Sequence, residues 1–207
     1  MFGFNIERRI NMKTYKLTKK DFEETNTYYK KYIGKIDVSD LDGNLEIEGD
    51  LGWVRFEGDV MVTGSIIVEA GSGIKAGSGI KAGWGIEAGL GIEAGLGIKA
   101  GWGIKAGWGI ETGLGIEAGL GIIAGLYIKC KLALNCSYRL FAGTATWKEN
   151  IEEENNIIEC GKLEKGTIVT GVLKELGLPD TNRVLDNLSG QEVSVTLNGK
   201  TYKAVIK

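Results

Sequence analysis

The sequence predicts an all-β fold, a single stack of β-solenoid coils built from six-residue repeats. Between residues 71 and 129 the chain repeats a hexad of the form AGxGI(K/E), and a fixed short period indicates a repeat architecture. Within each hexad, small or apolar residues alternate with glycine or charge, as in strands with one buried face. The chain has 33 glycines but 1 proline among 207 residues. Collagen is excluded because it needs glycine every third residue, and a Ser/Gly linker because isoleucine recurs every sixth residue.

Composition and charge exclude several functional classes. Histidine is absent, which removes histidine-based triads, general bases and metal ligands. The formal net charge of -2 predicts no basic surface for nucleic acid or an anionic membrane. No apolar run reaches the roughly 18 residues of a membrane span, and the first ten residues lack a signal-peptide pattern. We therefore expect a cytoplasmic protein with no catalytic, cofactor-binding or metal-binding residues.

The three cysteines fit the same interpretation. Cys130, Cys136 and Cys160 show no CxxC spacing, and their odd number suits a reducing cytoplasm better than a disulfide framework. Cys130 and Cys136 fall in the column that alanine occupies in the evident hexads. We therefore predict that both are small core residues, as free cysteines commonly are.

Residues 1–43 are predicted to cap the solenoid with a short helix. Thr18 is a candidate N-cap for that helix, and apolar residues follow it at helical spacing. One face of the helix would carry Phe22, Asn26, Tyr29 and Ile33. Because solenoids need atypical terminal segments, this face is expected to seal the open end. Binding of a partner by the helix is the alternative.

The solenoid is predicted to span residues 44–146, beyond the evident hexads. The isoleucine column continues through Ile128, Leu134 and Leu140. Upstream, the same period places Val62 and Val68 in the column of Ile74. The two glycines of each hexad are expected to allow tight corners or a positive φ.

The charges favour two hexads per coil. The residue after each isoleucine runs through pairs of bases and pairs of acids, from Lys75 to Glu117. In a two-hexad coil every stacked neighbour has opposite charge, whereas a three-hexad coil places Lys81 beside Lys99, and directly opposed like charges are destabilising. The three-hexad coil remains the runner-up, because a two-hexad coil has a thin interior and tryptophan side chains are large.

Residues 147–207 are predicted to form a small β-rich module. Asn198-Gly199 lies between two alternating segments, which is a strong β-hairpin signal. The segment NRVLDNL, residues 182–188, predicts a short helical stretch before the hairpin. The hairpin either covers the edge of the solenoid or recognises a target, and the sequence leaves both open.

Residues 60–146 resemble hexapeptide-repeat β-solenoids, a group that includes the left-handed β-helix and bactofilin-like polymer-forming proteins. AGLGIE fits the small-x-aliphatic-Gly order of the left-handed β-helix, although Trp or Ser replaces Leu in several hexads. Hexapeptide acyltransferases share the resemblance, but they depend on a histidine base that this chain lacks. The near-identical hexads are also similar to those of small proteins carried by phages and mobile elements.

The leading functional hypothesis is a non-enzymatic interaction protein, a rigid solenoid that displays terminal modules to a protein of a bacterial host. The resemblance to phage-type proteins implies an inhibitor of a host defence protein, similar to an anti-CRISPR. The alternative is a bactofilin-like structural protein that assembles into a homo-oligomer. Direct nucleic-acid or membrane binding is not expected. The predicted partner-binding residues are Phe22, Tyr29, Ile33, Tyr202 and Lys203.

Overall fold

The computed structural model describes residues 12–25, 28–148, 152, 155–178, 192–197 and 200–205, the last two ranges as strands only. The chain forms two compact units, Met1–Gly177 and Leu178–Lys207. The first unit is a parallel β-solenoid of about 7 turns. This confirms the predicted all-β solenoid, and the described residues contain no α-helix.

Three stacks of parallel strands form three faces, since each coil contributes one strand to each stack. Face A contains β1 (Thr14–Leu17), β4 (Asn44–Ile47), β7 (Ile66–Val68), β10 (Ile86–Ala88), β13 (Ile104–Ala106), β16 (Ile122–Ala124) and the second half of β18 (Ala133–Phe141). Face B contains β3 (Tyr29–Tyr32), β5 (Gly52–Phe56), β8 (Ser72–Ala76), β11 (Ile92–Ala94), β14 (Ile110–Thr112), β17 (Ile128–Cys130), β19 (Ile157–Cys160) and β21 (Val172–Glu175). Face C contains β6 (Val60–Val62), β9 (Ile80–Ala82), β12 (Ile98–Ala100), β15 (Ile116–Ala118) and the first half of β18, and β20 (Lys162–Thr170) pairs along both halves of β18.

The strand register shows that a coil contains three hexads. Ile86 pairs with Ile104 and Lys99 with Glu117, so stacked neighbours lie 18 residues apart. The prediction of two hexads per coil is therefore wrong, and the three-hexad alternative is confirmed. The like-charged neighbours that argued against it, such as Lys81 and Lys99, lie on the outer surface. Exposed charge pairs contribute at most about 1 kcal/mol, whereas burying one isoleucine contributes about 1.5–3 kcal/mol.

The interior consists of two columns on each face. In a typical strand, Ile98–Ala100, the first and last residues are buried and the central lysine is exposed. The columns continue as predicted beyond the evident hexads, because Leu134 and Cys136 pair with Ile116 and Ala118. Cys130, Cys136 and Cys160 are all buried free thiols, so the prediction that Cys130 and Cys136 are core residues is confirmed.

Upstream of the evident hexads, the predicted columns are shifted by two residues. Val62 pairs with Ala82 rather than with an isoleucine, and Phe56 pairs with Ala76. The shift arises at a longer corner that contains Gly71, where φ is +74, and stacked partners in these coils lie 20 or 21 residues apart. Larger residues thus fill the alanine column in the first coils.

The predicted N-terminal helix is not formed. Instead a 3-10 turn, η1 (Lys19–Asp21), leads into β2 (Phe22–Glu23), which pairs antiparallel with β3. Thr18 does stand at the N-cap position of this turn, where its N–H donates to the Asp21 carboxylate at 2.8 Å. This segment forms a strand instead of a helix because a distant part of the chain supplies a hydrogen-bonding partner. β3 pairs in parallel with Trp53–Arg55 of β5, and tyrosine is favoured in such paired strands. Asn26, which the helical spacing puts on the same face as Phe22, lies outside the described residues.

The N-terminal strands nevertheless close one end of the core. Phe22 is 8% exposed and packs edge-to-face against Phe56, with ring centroids 5.9 Å apart. Tyr32 packs on the same two rings. The aromatic side chains that cover the first coil therefore belong to the antiparallel strands β2 and β3 rather than to a helix.

After residue 146 the solenoid gains further strands that carry no hexad pattern. β19 pairs with β17, and β21 pairs with β19, all in parallel. In the second unit, β22 (Glu192–Leu197) and β23 (Lys200–Val205) are antiparallel, with Leu197 opposite Lys200. This confirms the predicted hairpin. The predicted helical stretch at residues 182–188 lies outside the described residues.

Candidate interaction surfaces

The outer surface of each face is built from three rows that the hexad dictates. The variable residue of AGxGI(K/E) lies at a corner and forms a ridge, the following glycine forms a flat trough, and the final Lys or Glu projects outward. A backbone ladder aligns each ridge from coil to coil. Along one corner, for example, Trp102 N–H donates to Trp84 O at 3.0 Å and Leu120 N–H to Trp102 O at 3.0 Å.

The trough of face B is filled by aromatic rings of the same chain. A Cβ added at Gly91 would lie 2.6 Å from the Trp53 indole, and one at Gly109 would lie 2.5 Å from the Tyr127 ring. Tyr29 packs edge-to-face on Trp53 at 6.2 Å. Burial raises the pKa of the Tyr127 phenol above its ordinary value, as expected for a ring covered on the sheet. Face B is thus already covered.

Face A has an open trough instead. A Cβ added at Gly103 would meet only the backbone of Gly121, at 3.3 Å. The trough forms part of a groove of ≈ 730 Å³. Its walls include Leu120 from the corner ridge and Ile123 from the outward row. An apolar groove of this size on a sheet face is a candidate binding surface.

We define the face A patch as the outward and ridge residues around this groove. It comprises Ile67, Glu87, Lys105, Leu120, Ile123 and Tyr138. Its apolar members are unusually exposed for their type, at 45% for Ile67, 44% for Leu120, 39% for Ile123 and 63% for Tyr138. At its centre the Lys105 Nζ lies 2.6 Å from Glu87 Oε1. Beside the patch, the Trp84 and Trp102 rings stack with centroids 5.8 Å apart.

Face C carries a smaller and more highly charged groove of ≈ 430 Å³. Its outward row follows the strand register through Met61, Lys81, Lys99, Glu117 and Asn135. Lys99 Nζ lies 2.7 Å from Glu117 Oε2, a geometry like that of the face A ion pair. Face C therefore has the same scaffold without apolar residues on both sides of the ion pair.

The residues predicted to bind a partner occupy different environments. Phe22 is buried in the aromatic cluster. Tyr29 is half-buried and its hydroxyl accepts a hydrogen bond from Lys75 Nζ at 3.0 Å, while Ile33 is 54% exposed. Tyr202 and Lys203 lie on β23, opposite Val195 and Ser194. Their role in binding stays a prediction.

The face A patch was missed by the sequence analysis, although the sequence contains a signal for it. Residues 118–123 read AGLGII, so isoleucine occupies the position that is Lys or Glu in the regular hexads. Ile67 stands at the equivalent outward position of its coil, because it pairs with Glu87. An apolar residue in a charged column marks an exposed site rather than a core site.

The cysteines have the properties of packing residues. Burial raises the pKa of the Cys130 thiol to about 12 and that of Cys160 to about 11. It also raises the pKa of Cys136. Since the thiolate is the reactive form, these environments disfavour nucleophilic chemistry.

Within the described ranges, no group of three or more His, Cys, Asp or Glu residues is arranged to hold a metal ion. Over the same ranges, no helix combines the length and the apolar content that crossing a membrane requires. Comparisons of the chain with protein-family models, curated proteins and solved structures found no significant match.

Proposed function

We propose that this chain is a non-enzymatic interaction protein whose solenoid presents the face A patch to another protein. The observation that carries the proposal is the exposure of Ile67, Leu120 and Ile123 around one groove. Contiguous exposed apolar side chains rimmed by polar groups are typical of protein interaction sites. The central coils of the other two faces carry charged outward residues instead, such as Lys75 and Glu93 on face B and Lys99 and Glu117 on face C.

The rigidity of the scaffold favours such a role. Each outward residue is flanked in its strand by buried residues, as in Ile122–Ala124, where Ile123 is exposed between two buried neighbours. Parallel pairing on both sides holds that strand in register. A partner therefore meets a preorganised surface, and binding costs little further ordering of the backbone.

The more specific form of the proposal is an inhibitor of a defence protein in a bacterial host. It rests on the resemblance of the hexads to those of phage-type proteins. In that form the terminal residues predicted from the sequence would add to the surface used, above all Ile33, which is exposed at the N-terminal strands.

End-to-end assembly of the bactofilin-like kind is the second candidate function. It is favoured by exposed apolar residues on the last strands of the solenoid, where Val172 is 56% and Val169 49% exposed. Contacts between unlike ends do not close, so such assembly would give an open series of sizes.

The proposed function is tested with a variant that stays within the natural hexads. Leu120→Ser with Ile123→Glu converts residues 118–123 to AGSGIE, each residue of which occurs at that position elsewhere in the repeat. Tagged full-length protein would be used to capture partners from a bacterial extract that also contains an untagged copy of the chain, with identification by mass spectrometry. We expect specific capture by the wild type to fall at least tenfold in the variant.

The matched control is Leu96→Ser on the ridge of face C. This change gives AGSGIK at residues 94–99, identical to residues 76–81, and removes a leucine that is 48% exposed. Capture should persist in this control. Equal capture by the face A variant and the wild type would refute binding through face A.

A further inference from the structure

We propose that the partner of the face A patch is a second copy of this chain, bound in a two-fold symmetric dimer. The inference rests on the proposed function, since it names the occupant of the same surface. It rests on the order of apolar, acidic and basic residues along the outward row of face A. In successive coils the row reads Ile67, Glu87, Lys105 and Ile123, aligned by the strand register.

The four central residues of this row are complementary to themselves when the direction of the row is reversed, whereas the next residues on either side, Glu46 and Phe141, are not. Reversal exchanges Glu87 with Lys105 and Ile67 with Ile123. Two copies related by a two-fold axis along the strand direction, between β10 and β13, would meet with their coils in opposite order. That axis places Glu87 opposite the partner's Lys105 and Ile67 opposite the partner's Ile123. Such isologous contacts are the commonest basis of homodimers.

Two orientations of a two-fold axis would bring the two A faces together, and the charges favour the axis along the strands over the axis along the solenoid. An axis parallel to the solenoid would place Glu87 opposite the partner's Glu87, and like charges facing each other across an interface are strongly unfavourable. In the preferred arrangement, the intramolecular pair at 2.6 Å becomes one half of a four-charge cluster. Both side chains are more than half exposed in the single chain, at 59% and 56%.

The ridge beside the row fits the same axis. It places Trp84 opposite the partner's Trp102, and both rings lie in the stacked pair with a 5.8 Å centroid distance. Leu120 would lie opposite the partner's Gly64, which occupies the ridge position one coil before Trp84. Because glycine has no side chain, it leaves room there for the leucine. Tryptophan and other aromatic residues are enriched in interface cores.

The glycine trough is suited to close approach. On face B the equivalent glycines are covered by Trp53 and Tyr127 of the same chain, so aromatic rings do pack on a glycine trough of this kind. Face C has a single Lys–Glu pair, but it is flanked by Lys81 and Asn135. Face A therefore combines an uncovered glycine trough, apolar residues on both sides of the ion pair, and a self-complementary Glu87–Lys105 pair.

The test uses the single variants Glu87→Lys and Lys105→Glu in the full chain. Sedimentation velocity over a range of concentrations should give the wild type twice the chain mass of 22.3 kDa. A dimer of either variant alone contains two like-charged pairs across the interface, so its dissociation constant should rise at least about 10-fold. Mixed in equal amounts, the two variants should form a heterodimer, because two bases of one chain then face two acids of the other.

The mixing experiment separates contacts between chains from contacts within a chain. Both variants keep a like-charged pair inside each chain, so only pairing between chains can restore association. The double variant Glu87→Lys with Lys105→Glu should dimerise like the wild type. The control Glu117→Lys breaks the corresponding pair on face C, which measures 2.7 Å, and should leave the dimer unchanged.

Three outcomes would overturn the inference. The first is a wild type that stays monomeric at all concentrations, and the second is a mixture of the two variants that remains dissociated. The third is an open series of sizes that the charge changes do not affect. A monomeric wild type that still captures another protein through face A would refute the dimer and retain the proposed function. Capture independent of face A in a monomeric protein would refute both.

Discussion

At the scale of single residues, the buried polar side chains of the solenoid replace missing backbone partners. Among the described residues, Ser72 and Thr112 are the buried polar ones. Ser72 Oγ donates to the Glu48 carbonyl at 2.7 Å and accepts from Leu51 N–H at 3.0 Å. These bonds satisfy the backbone next to the longer corner, where the regular ladder is interrupted. Ser72 therefore has a structural role that its hexad alone does not reveal.

Ser72→Ala should destabilise the protein, because it removes the hydroxyl that pairs with the buried Leu51 N–H and with the part-buried Glu48 carbonyl. The expected loss is about 1–3 kcal/mol in the free energy of unfolding, measured by urea denaturation. Ser78→Ala is the matched control, since Ser78 occupies the same position in the next hexad but is only half-buried. Equal losses in the two variants would contradict the role assigned to Ser72.

At the scale of the strand and its corner, the two glycines of a hexad have different tasks. The glycine after alanine packs directly against the coil before it: a Cβ at Gly95 would overlap the carbonyl oxygen of Gly77. The second glycine is less crowded, and a Cβ at Gly97 would lie 3.3 Å from Gly115 O. Neither adopts a positive φ. Both glycines lie in the short corner between β11 and β12, as expected, but the expected positive φ is replaced by a requirement for close approach between coils.

Gly95→Ala should therefore cost much more stability than Gly97→Ala in the same hexad. A forced displacement of packed backbone costs about 1–3 kcal/mol or more, and we expect the first substitution to reach that range. The second should cost less than about 1 kcal/mol, because its neighbour needs to shift by only a few tenths of an ångström. Thermal and urea unfolding of the two variants provide the comparison, and a reversed order would refute it.

At the scale of the whole molecule, coil length decides which outward charges are neighbours. Because a coil contains three hexads, the strand register places Lys81 between Met61 and Lys99. In a two-hexad coil it would instead lie between Glu69 and Glu93. The same substitution at this position therefore has opposite effects in the two architectures.

Lys81→Glu should raise the stability, because it replaces a like-charged pair with an opposite one. Opposite cross-strand pairs contribute roughly 0.2–1 kcal/mol, and the gain should shrink in 1 M salt, where screening acts within about 3 Å. Urea denaturation at low and high salt measures both effects. A loss of stability at low salt would indicate the shorter coil.

Local patterns in the sequence predict much of this fold. Alternation within a hexad places Ile98 and Ala100 inward and Lys99 outward, because side-chain direction in a strand follows from the backbone. The same rule extends the core to Leu134 and Cys136. The pairing of β22 with β23 is likewise local, since the two strands are close together in the chain.

The sequence by itself determined the strand period, the inward columns, the core cysteines and the hairpin, because each depends on residues close together in the chain. Only the tertiary structure decided the coil length and the strand at Tyr29–Tyr32, because both depend on which distant strand supplies the hydrogen-bonding partner. The face A patch belongs to the second group. Ile67 and Ile123 join one outward row only when coils of three hexads stack.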